Sequence, residues 1–374
     1  MAESLPYGIV FETYTYRQMC LGSFSMDPSA SKIPISRLRF LSQTNNPRAL
    51  PEDLILVTVK LNGELIAFRT VLPDNIELGV RSVHFAWLSG VWVAPQYRRL
   101  GISRKMFDII FQAWNGLLLG TEYTPTNGLA ITSSGQFGPT ISKPGVRIFY
   151  KSPIEHIILK KYNKYRPFRY AFKLADTIID TLVKGRNMMY GNIRLPDEVK
   201  YTISEMLSNE AKAFINEYRS YSSTNRRVTE LDWIVKYPWL ASDPKAKEES
   251  KKYYFSVFAV QFTVCFLEIY QRSDIKAIVM LTLRNGIMKI PYLFINEMDK
   301  SDVASCILRY ASDHKVKLIV SYHTGLNERL LSLDNKRIIA KKTTRHYLVT
   351  KILNEIIPAE ALIFADGDGD CVFV

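Results

Sequence analysis

Residues 91–105 read Val-Trp-Val-Ala-Pro-Gln-Tyr-Arg-Arg-Leu-Gly-Ile-Ser-Arg-Lys, and they constrain the fold more than any other stretch of the chain. A short β-branched run that stops at a proline predicts a strand and its exit. A turn carrying two arginines and a glycine follows. Met106, Ile109, Ile110, Ala113 and Trp114 then recur at helical spacing, which gives a helix with one face packed on a sheet. A strand that enters a helix through a tight glycine turn leaves the first helical N–H groups unpaired and pointing outward. Together with the positive helix end and the neighbouring arginines, these donors form a seat for a pyrophosphate. The alternative is a basic strand–turn–helix edge with no ligand.

The run Arg98-Arg99-Leu100-Gly101-Ile102-Ser103 resembles the phosphate-binding turn of the GNAT acyl-CoA N-acyltransferases, Gln/Arg-x-x-Gly-x-Gly/Ala. It departs from that pattern at Ser103, where a hydroxyl is still small enough for close backbone approach. The resemblance implies an α/β (α+β) chain. It also implies coenzyme A as the polyanion, used as an acyl-CoA (acetyl-CoA first) co-substrate rather than a tightly bound cofactor.

At 374 residues the chain is long enough for two domains, and 47% hydrophobic with 23% charged residues gives an ordinary globular core and excludes disorder. A formal charge of +13 calls for a polyanionic partner. Coenzyme A needs only part of that excess. Nucleotide-linked sugars, nucleic acid or an anionic membrane leaflet could draw on the remainder. Cys20, Cys265, Cys306 and Cys371 are scattered without CxxC spacing, which argues against a zinc site or a disulfide framework and for a reducing compartment. The first residues lack a basic and then apolar leader, and no window approaches about 20 uninterrupted apolar residues. A cytoplasmic protein with no transmembrane segment is the expectation.

Strands are expected at residues 9–16, in a hairpin of 54–60 and 64–71 around Asn62-Gly63, and at 83–93, 129–133 and 146–151, with a helix at 35–43. Residues 156–238 read as a helical region, with helices at 171–184 and 198–218. From 239 the pattern returns to a hairpin (275–283 and 288–295, around Asn285-Gly286), a helix at 302–313, a strand at 317–322 and a short helix at 327–333. Residues 347–352 form an ordered piece, and 361–365 and 371–374 are expected as closing strands. The order over residues 1–155 is similar to that of a GNAT unit. Residues 239–374 resemble a second, degenerate one, in which 296–300 (Asn-Glu-Met-Asp-Lys) replace the arginine–glycine turn. The layout as a whole resembles tandem, double GNAT-like proteins of bacterial surface-polysaccharide loci. It gives two mixed-sheet domains, 1–155 and 239–374, joined by the helical region 156–238.

By position, the resemblance implies that main-chain groups of Val91 and Val93 hold the pantetheine arm and the thioester carbonyl. Gln96, Arg98, Arg99, Gly101, Ile102, Ser103 and Arg104 would surround the pyrophosphate. Asn127 and Ser133 would face the acceptor. Acylating an amine requires a group that takes its proton. Residues 81–93 contain no carboxylate, so His84 is the only candidate base on that strand, against its reading as a structural histidine. Ile141 stands where the family often has its tyrosine, and Tyr150 is the nearest downstream phenol. The acceptor implied is an amine, with an amino sugar or nucleotide-linked amino sugar as one form. Two other readings stay open: a peptidyltransferase that takes aminoacyl-tRNA, which would account for the charge, and a catalytically silent binding module. Residues 366–370 (Asp-Gly-Asp-Gly-Asp) begin like a calcium loop but lack the closing glutamate, so a plain turn is expected and no metal. The segment 160–169 interleaves Lys160, Lys161, Lys164, Arg166 and Arg169 with Tyr162, Tyr165 and Phe168. It is read as a helix with rings packed inward, against a nucleic-acid or membrane-surface contact.

Overall fold

The computed structural model describes residues 8–24, 30–79, 81–121, 134–189, 194–218, 222–296 and 300–373. In chain order the first elements are β1 (Ile9–Thr15), α1 (Tyr16–Cys20), α2 (Arg37–Thr44), β2 (Leu54–Leu61), β3 (Glu64–Leu78), β4 (Arg81–Val93), α3 (Ile102–Ala113), β5 (Leu118–Thr121) and β6 (Phe137–Phe149). Then come α4 (Ile154–Lys161), α5 (Arg169–Met189), β7 (Val199–Ser204), α6 (Asn209–Glu217), α7 (Val228–Lys236) and α8 (Pro244–Glu249). The chain continues through β8 (Phe262–Gln271), β9 (Asp274–Arg284), β10 (Ile287–Ile295), α9 (Lys300–Asp313), β11 (Leu318–Ser321), α10 (Thr324–Leu333), β12 (Ile339–Thr350) and α11 (Lys351–Ile356).

These elements fall into two compact units that interleave along the sequence. Unit 1 comprises Met1–Ser142, Ile215–Phe262 and Arg345–Val374, and unit 2 comprises Lys143–Phe214 and Thr263–Thr344. Compactness therefore divides the chain differently from the sequence-order reading. The region read as a helical bridge contributes α4 and α5 to unit 2 and α7 to unit 1.

Unit 1 is a mixed sheet in the order β1-β2-β3-β4-β5-β12. Its pairs are antiparallel except β4 with β5, where the crossover through α3 makes the strands parallel. Asn62-Gly63 closes the β2–β3 hairpin with both φ values positive (51° and 84°), the conformation a two-residue turn needs and an Asn-Gly pair supplies at low cost. One face of the sheet packs on α3 through Ala67, Val71, Ala86 and Leu88 against Ile102, Met106 and Ile110. The other face buries Phe68 and Trp92 with Ile35, Tyr253 and Val257.

Unit 2 repeats this topology. Its strand order is β7-β8-β9-β10-β11-β6, and its single recorded parallel pair, β10 with β11, is spanned by α9. Asn285-Gly286 repeats the positive-φ turn, and Val303, Ile307 and Tyr310 of α9 fill the core. The α/β class with mixed sheets thus holds in both units. Each unit takes its last strand from the part of the chain that sequence order would give to the other: β5 pairs with β12 (Tyr347 opposite Thr121), and β11 pairs with the end of β6 (Ser321 opposite Val146).

Three expectations need correction. Residues 198–218 are not one helix, because β7 occupies Val199–Ser204 and α6 begins at Asn209. The alternation Val-Lys-Tyr-Thr-Ile-Ser has the two-residue period of a strand with one face packed. Of the closing strands expected at 361–365 and 371–374, neither forms among the described residues, which end at Phe373. A short 3-10 turn covers Ala359–Ala361, and turns fill most of 366–373. Leu362, Phe364, Cys371, Val372 and Phe373 are nonetheless buried, because the loop itself is packed into unit 1. The basic segment does not turn its rings inward either, since Tyr165 and Phe168 are exposed. The strand expected at 129–133 lies outside the described residues.

Candidate functional site

Strand β4 runs for 13 residues, and β5 is described over Leu118–Thr121. The two pair through Ala86–Leu88 opposite Leu118–Gly120, and among the described residues no pairing continues past Leu88. On its other side β4 stays paired with β3 up to Val93 opposite Ala67. Among the described residues, 89–93 therefore have one main-chain edge without a strand partner, and Val91 and Val93 lie on this stretch. The pairing also slips by one residue here, since Arg69 faces Val91 while Val71 faces Leu88. That is a β-bulge at Ser89 and Gly90, which re-aims the main chain beside this edge.

The edge leads into the turn. Pro95–Tyr97 forms a single 3-10 turn, Arg98 Nε donates to the Val93 carbonyl at 3.2 Å, and both Arg99 (φ 68°) and Gly101 (φ 77°) are left-handed. Gly101 is the N-cap of α3 and supplies no side-chain cap. Backbone bonding resumes at Lys105, whose N–H donates to the Gly101 carbonyl at 3.0 Å. Among the described residues the N–H groups of 99–104 have no backbone partner. A Cβ placed on Gly101 would meet nothing within 4 Å, so the mouth of the turn is open. Gln96, Arg98, Arg99 and Arg104 are exposed around it, Ser103 is half-buried, and Ile102 is buried so that only its main chain faces outward. Arg104 is turned along the helix, with Nε 2.9 Å from Asp108 and Nη2 3.4 Å from the Ser134 carbonyl.

Arg69, on β3 opposite Val91, points to the α3 side with its guanidinium 5.6 Å over the Phe107 ring. It is buried, and its Nε and Nη2 have no hydrogen-bond partner. Burial without a carboxylate pushes its pKa down to about 10.

The opposite face of the bulge carries a second polar cluster. Ser89 Oγ accepts from Arg39 Nη2 at 2.5 Å and donates to the Asp370 carboxylate. Arg39 Nη1 reaches the Tyr253 hydroxyl at 3.3 Å, and the guanidinium stacks 4.0 Å over Trp239. Burial raises the Tyr253 pKa and the nearby Arg39 works against that rise. Ser89, Gly90 and Asp370 are half-buried and so remain reachable. The strand itself lacks a carboxylate, and the chain brings one to it from residue 370. The signal available in sequence was the setting of the aspartates: Leu362, Phe364, Val372 and Phe373 flank them and are all buried.

The rest of that aspartate segment is structural. Asp368 is buried and accepts from Ser222 (2.7 Å), Thr224 (2.8 Å) and its own loop at Ala365 N–H (2.8 Å). Burial raises its pKa, with Arg226 opposing the rise. Arg226 donates to Asp74 at 2.7 Å, and Asp74 also binds Arg48 (2.7 Å) and Trp87 Nε1 (2.9 Å). Burial alone would raise the Asp74 pKa, but Arg226 and Arg48 outweigh it and hold it below the usual carboxylate range. No cluster that could hold a metal occurs among the described residues.

The other sequence candidates lie elsewhere. His84 stands seven residues before Val91, about 20 Å back along the strand. Its Nε2 is 2.9 Å from Asp53 and its Nδ1 is 2.8 Å from Asn75, so both ring nitrogens are occupied, one joining β4 to the loop before β2 and the other to β3. Tyr150 belongs to unit 2, where its hydroxyl donates to Asp334 at 2.8 Å and burial pushes its pKa well up. Asn127 and Ser133 lie outside the described residues.

No curated protein matches the chain. Among solved structures, a tandem GNAT protein from the clavulanic acid biosynthesis pathway is similar over 91% of this chain and 98% of its own, at 10% identity and a TM-score of 0.49. A GCN5-related N-acetyltransferase from Anabaena variabilis is similar over 91% of this chain and 72% of its own (10% identity, TM-score 0.47). One from Sphaerobacter thermophilus is similar over 93% and 96% (10% identity, TM-score 0.45). Residues 26–114, which run from before α2 through β4, the turn and α3, match the family model of the acetyltransferase (GNAT) family.

Proposed function

We propose that unit 1 is an acyl-CoA-dependent N-acyltransferase. The observation that carries this reading holds among the described residues: the edge of β4 without a strand partner runs into a turn whose main-chain N–H groups at 99–104 have no backbone partner, and a Cβ on Gly101 would meet nothing within 4 Å. A diphosphate supplies acceptors for such a row of donors, and the helix end favours its charge. The thioester arm would extend the sheet along residues 89–93, where a main-chain donor beside the bulge could polarise the carbonyl. The family-model match over the same elements supports this assignment.

The acceptor side is read from the Ser89–Asp370 pair. An amine must lose a proton as its nitrogen attacks the acyl carbon and the carbon–sulfur bond breaks. Asp370 is the carboxylate that meets β4 at the bulge, through Ser89, and we assign it as the group that takes this proton. Arg39 and Ser89 are positioning residues: they fix the carboxylate through one bridging hydroxyl. Amino sugars, free or nucleotide-linked, are the amines we propose to try first.

The test is calorimetric titration of the whole protein with coenzyme A, followed by the same titration of Arg99→Ala/Gly101→Val. Binding that weakens at least about tenfold in the variant supports the reading. Equal affinity, or no binding to the wild type, overturns it.

A further inference from the structure

Helix α5 runs for 21 residues in unit 2 and has two unlike faces. Its inner face is fixed by carboxylates. Asp176 accepts from the N–H groups of Ile154 and Glu155 at 3.0 Å, and Asp180 accepts from Ser152 N–H at 2.7 Å, so both acids serve the start of α4. Tyr170, Leu174, Ile178 and Leu182 follow one another at four-residue spacing on the opposite face. They are 83%, 63%, 52% and 69% exposed. Phe168, just before the helix, is 59% exposed. A stripe of this kind, about 18 Å long from first to last member, is not what a solvated helix carries.

The carboxylates of α5, Asp176 and Asp180, lie on the inner face, and the segment leading into the stripe carries charge of one sign. Residues 156–175 contain six lysines and arginines and no carboxylate. Arg169 is paired with Glu155 at 2.6 Å. Lys164 lies 5.1 Å over the Tyr165 ring, and by helical spacing Lys173 and Lys184 fall along one edge of the stripe. Aromatic side chains gather at the amino-terminal end, where Tyr162 meets Tyr165 edge-on at 5.9 Å.

We propose that α5 and the turn before it are a docking surface for an anionic lipid membrane, lying in its interface without crossing it. Exposed aliphatic side chains need a hydrocarbon phase, which a nucleic acid does not offer. A second copy of the chain would bring the same cations face to face. An anionic bilayer supplies both an apolar layer and the opposite charge, and the amphipathic stripe flanked by lysines has the form of an interfacial helix. Among the described residues no helix is long and apolar enough to cross a membrane. This inference does not depend on the acyltransferase reading, since α5 lies in unit 2.

The test is co-sedimentation of the full chain with vesicles of phosphatidylcholine alone and of phosphatidylcholine with about equal phosphatidylglycerol. Two double variants accompany it, Leu174→Asp/Ile178→Asp and Lys164→Glu/Lys173→Glu. All four positions are exposed, so melting temperatures should match the wild type, and that match is checked first. The expected result is binding to the mixed vesicles only, weakened at least about tenfold by each variant and by high salt. Three results would overturn the proposal: no binding to mixed vesicles, binding that survives both variants, or self-association without vesicles that Leu174→Asp/Ile178→Asp abolishes. Binding of single-stranded RNA in place of vesicles would overturn it as well.

Discussion

Asp370 accepts the hydroxyl hydrogen of Ser89, a residue 281 positions earlier in the chain. That bond brings the aspartate segment to the bulged strand and puts a carboxylate where the strand has none of its own. Asp370→Asn keeps the shape and an acceptor oxygen but removes the base. Acyl transfer from acetyl-CoA to a panel of amines should fall by about 100- to 10,000-fold in kcat, with coenzyme A affinity unchanged. The rising acid limb of the pH–rate profile should disappear with it. Wild-type turnover in this variant would exclude Asp370 as the proton acceptor.

Among the described residues no anion lies beside the buried Arg69, a state that costs the free protein stability. Arg69→Met removes the charge and retains much of the volume. We expect the variant to be at least as stable as the wild type, and more stable by about 1–4 kcal/mol if the cavity repacks, in urea denaturation. Coenzyme A thioester binding should weaken in the same protein. Loss of stability without any change in binding would show that Arg69 only supports the core.

Asp74 joins Arg48, Arg226 and Trp87 in the interior of unit 1. Replacing it with alanine takes the shared carboxylate from Arg226 and leaves Arg48 only the Glu230 carboxylate (2.9 Å), at a cost of about 3–5 kcal/mol in chemical denaturation. The pH dependence follows from its depressed pKa. The unfolded chain binds the Asp74 proton more readily than the native state does. The stability this group contributes is therefore complete above the ordinary carboxylate range and drains away as acid carries the pH down toward the depressed value. Asp368 has a raised pKa and opposes this trend, since its share is greatest below the ordinary carboxylate value and declines as the pH rises through the raised one. Asp74→Asn should flatten the acid-side slope of unfolding free energy, and Asp368→Asn should steepen it.

Phe373 is buried between Trp239, on which it stacks at 4.5 Å, and Trp233, which it meets edge-on at 5.2 Å. Phe373→Ala should cost about 3–5 kcal/mol and lower the melting temperature. Because the ring anchors the loop that carries Asp370, turnover should fall more than stability alone accounts for. A variant that melts early but turns over normally at low temperature would separate the two effects.

Local chemistry is what made parts of this molecule legible. Asn62-Gly63 and Asn285-Gly286 announce their hairpins because few residue pairs accept two positive φ values. The periodic face from Met106 to Ile110 announces α3 for a similarly local reason. The strand β7 was also legible in principle, since Val199, Tyr201 and Ile203 alternate with polar residues, but a helical reading of its neighbourhood absorbed it. Pairing across distance was not legible. Nothing near Ser89 specifies Asp370, and nothing near Thr121 specifies Tyr347. The aspartates at 366–370 drew attention as a possible ion loop, whereas their buried apolar flanks were the better guide. Tyr150 and His84 looked available as isolated symbols, and each turns out to be engaged by an aspartate, Asp334 and Asp53 respectively.

The pairing of β5 with β12 has a consequence for biosynthesis. Nearly all of the sheet that begins with Ile9 is made before unit 2, yet its final strand follows every segment of unit 2 in the chain. Until residues 345–350 arrive, β5 has an unpaired margin and the aspartate loop has no place to settle. The first unit to be translated is therefore completed after the second, and a nascent chain halted short of Arg345 would expose a raw sheet edge that invites aggregation.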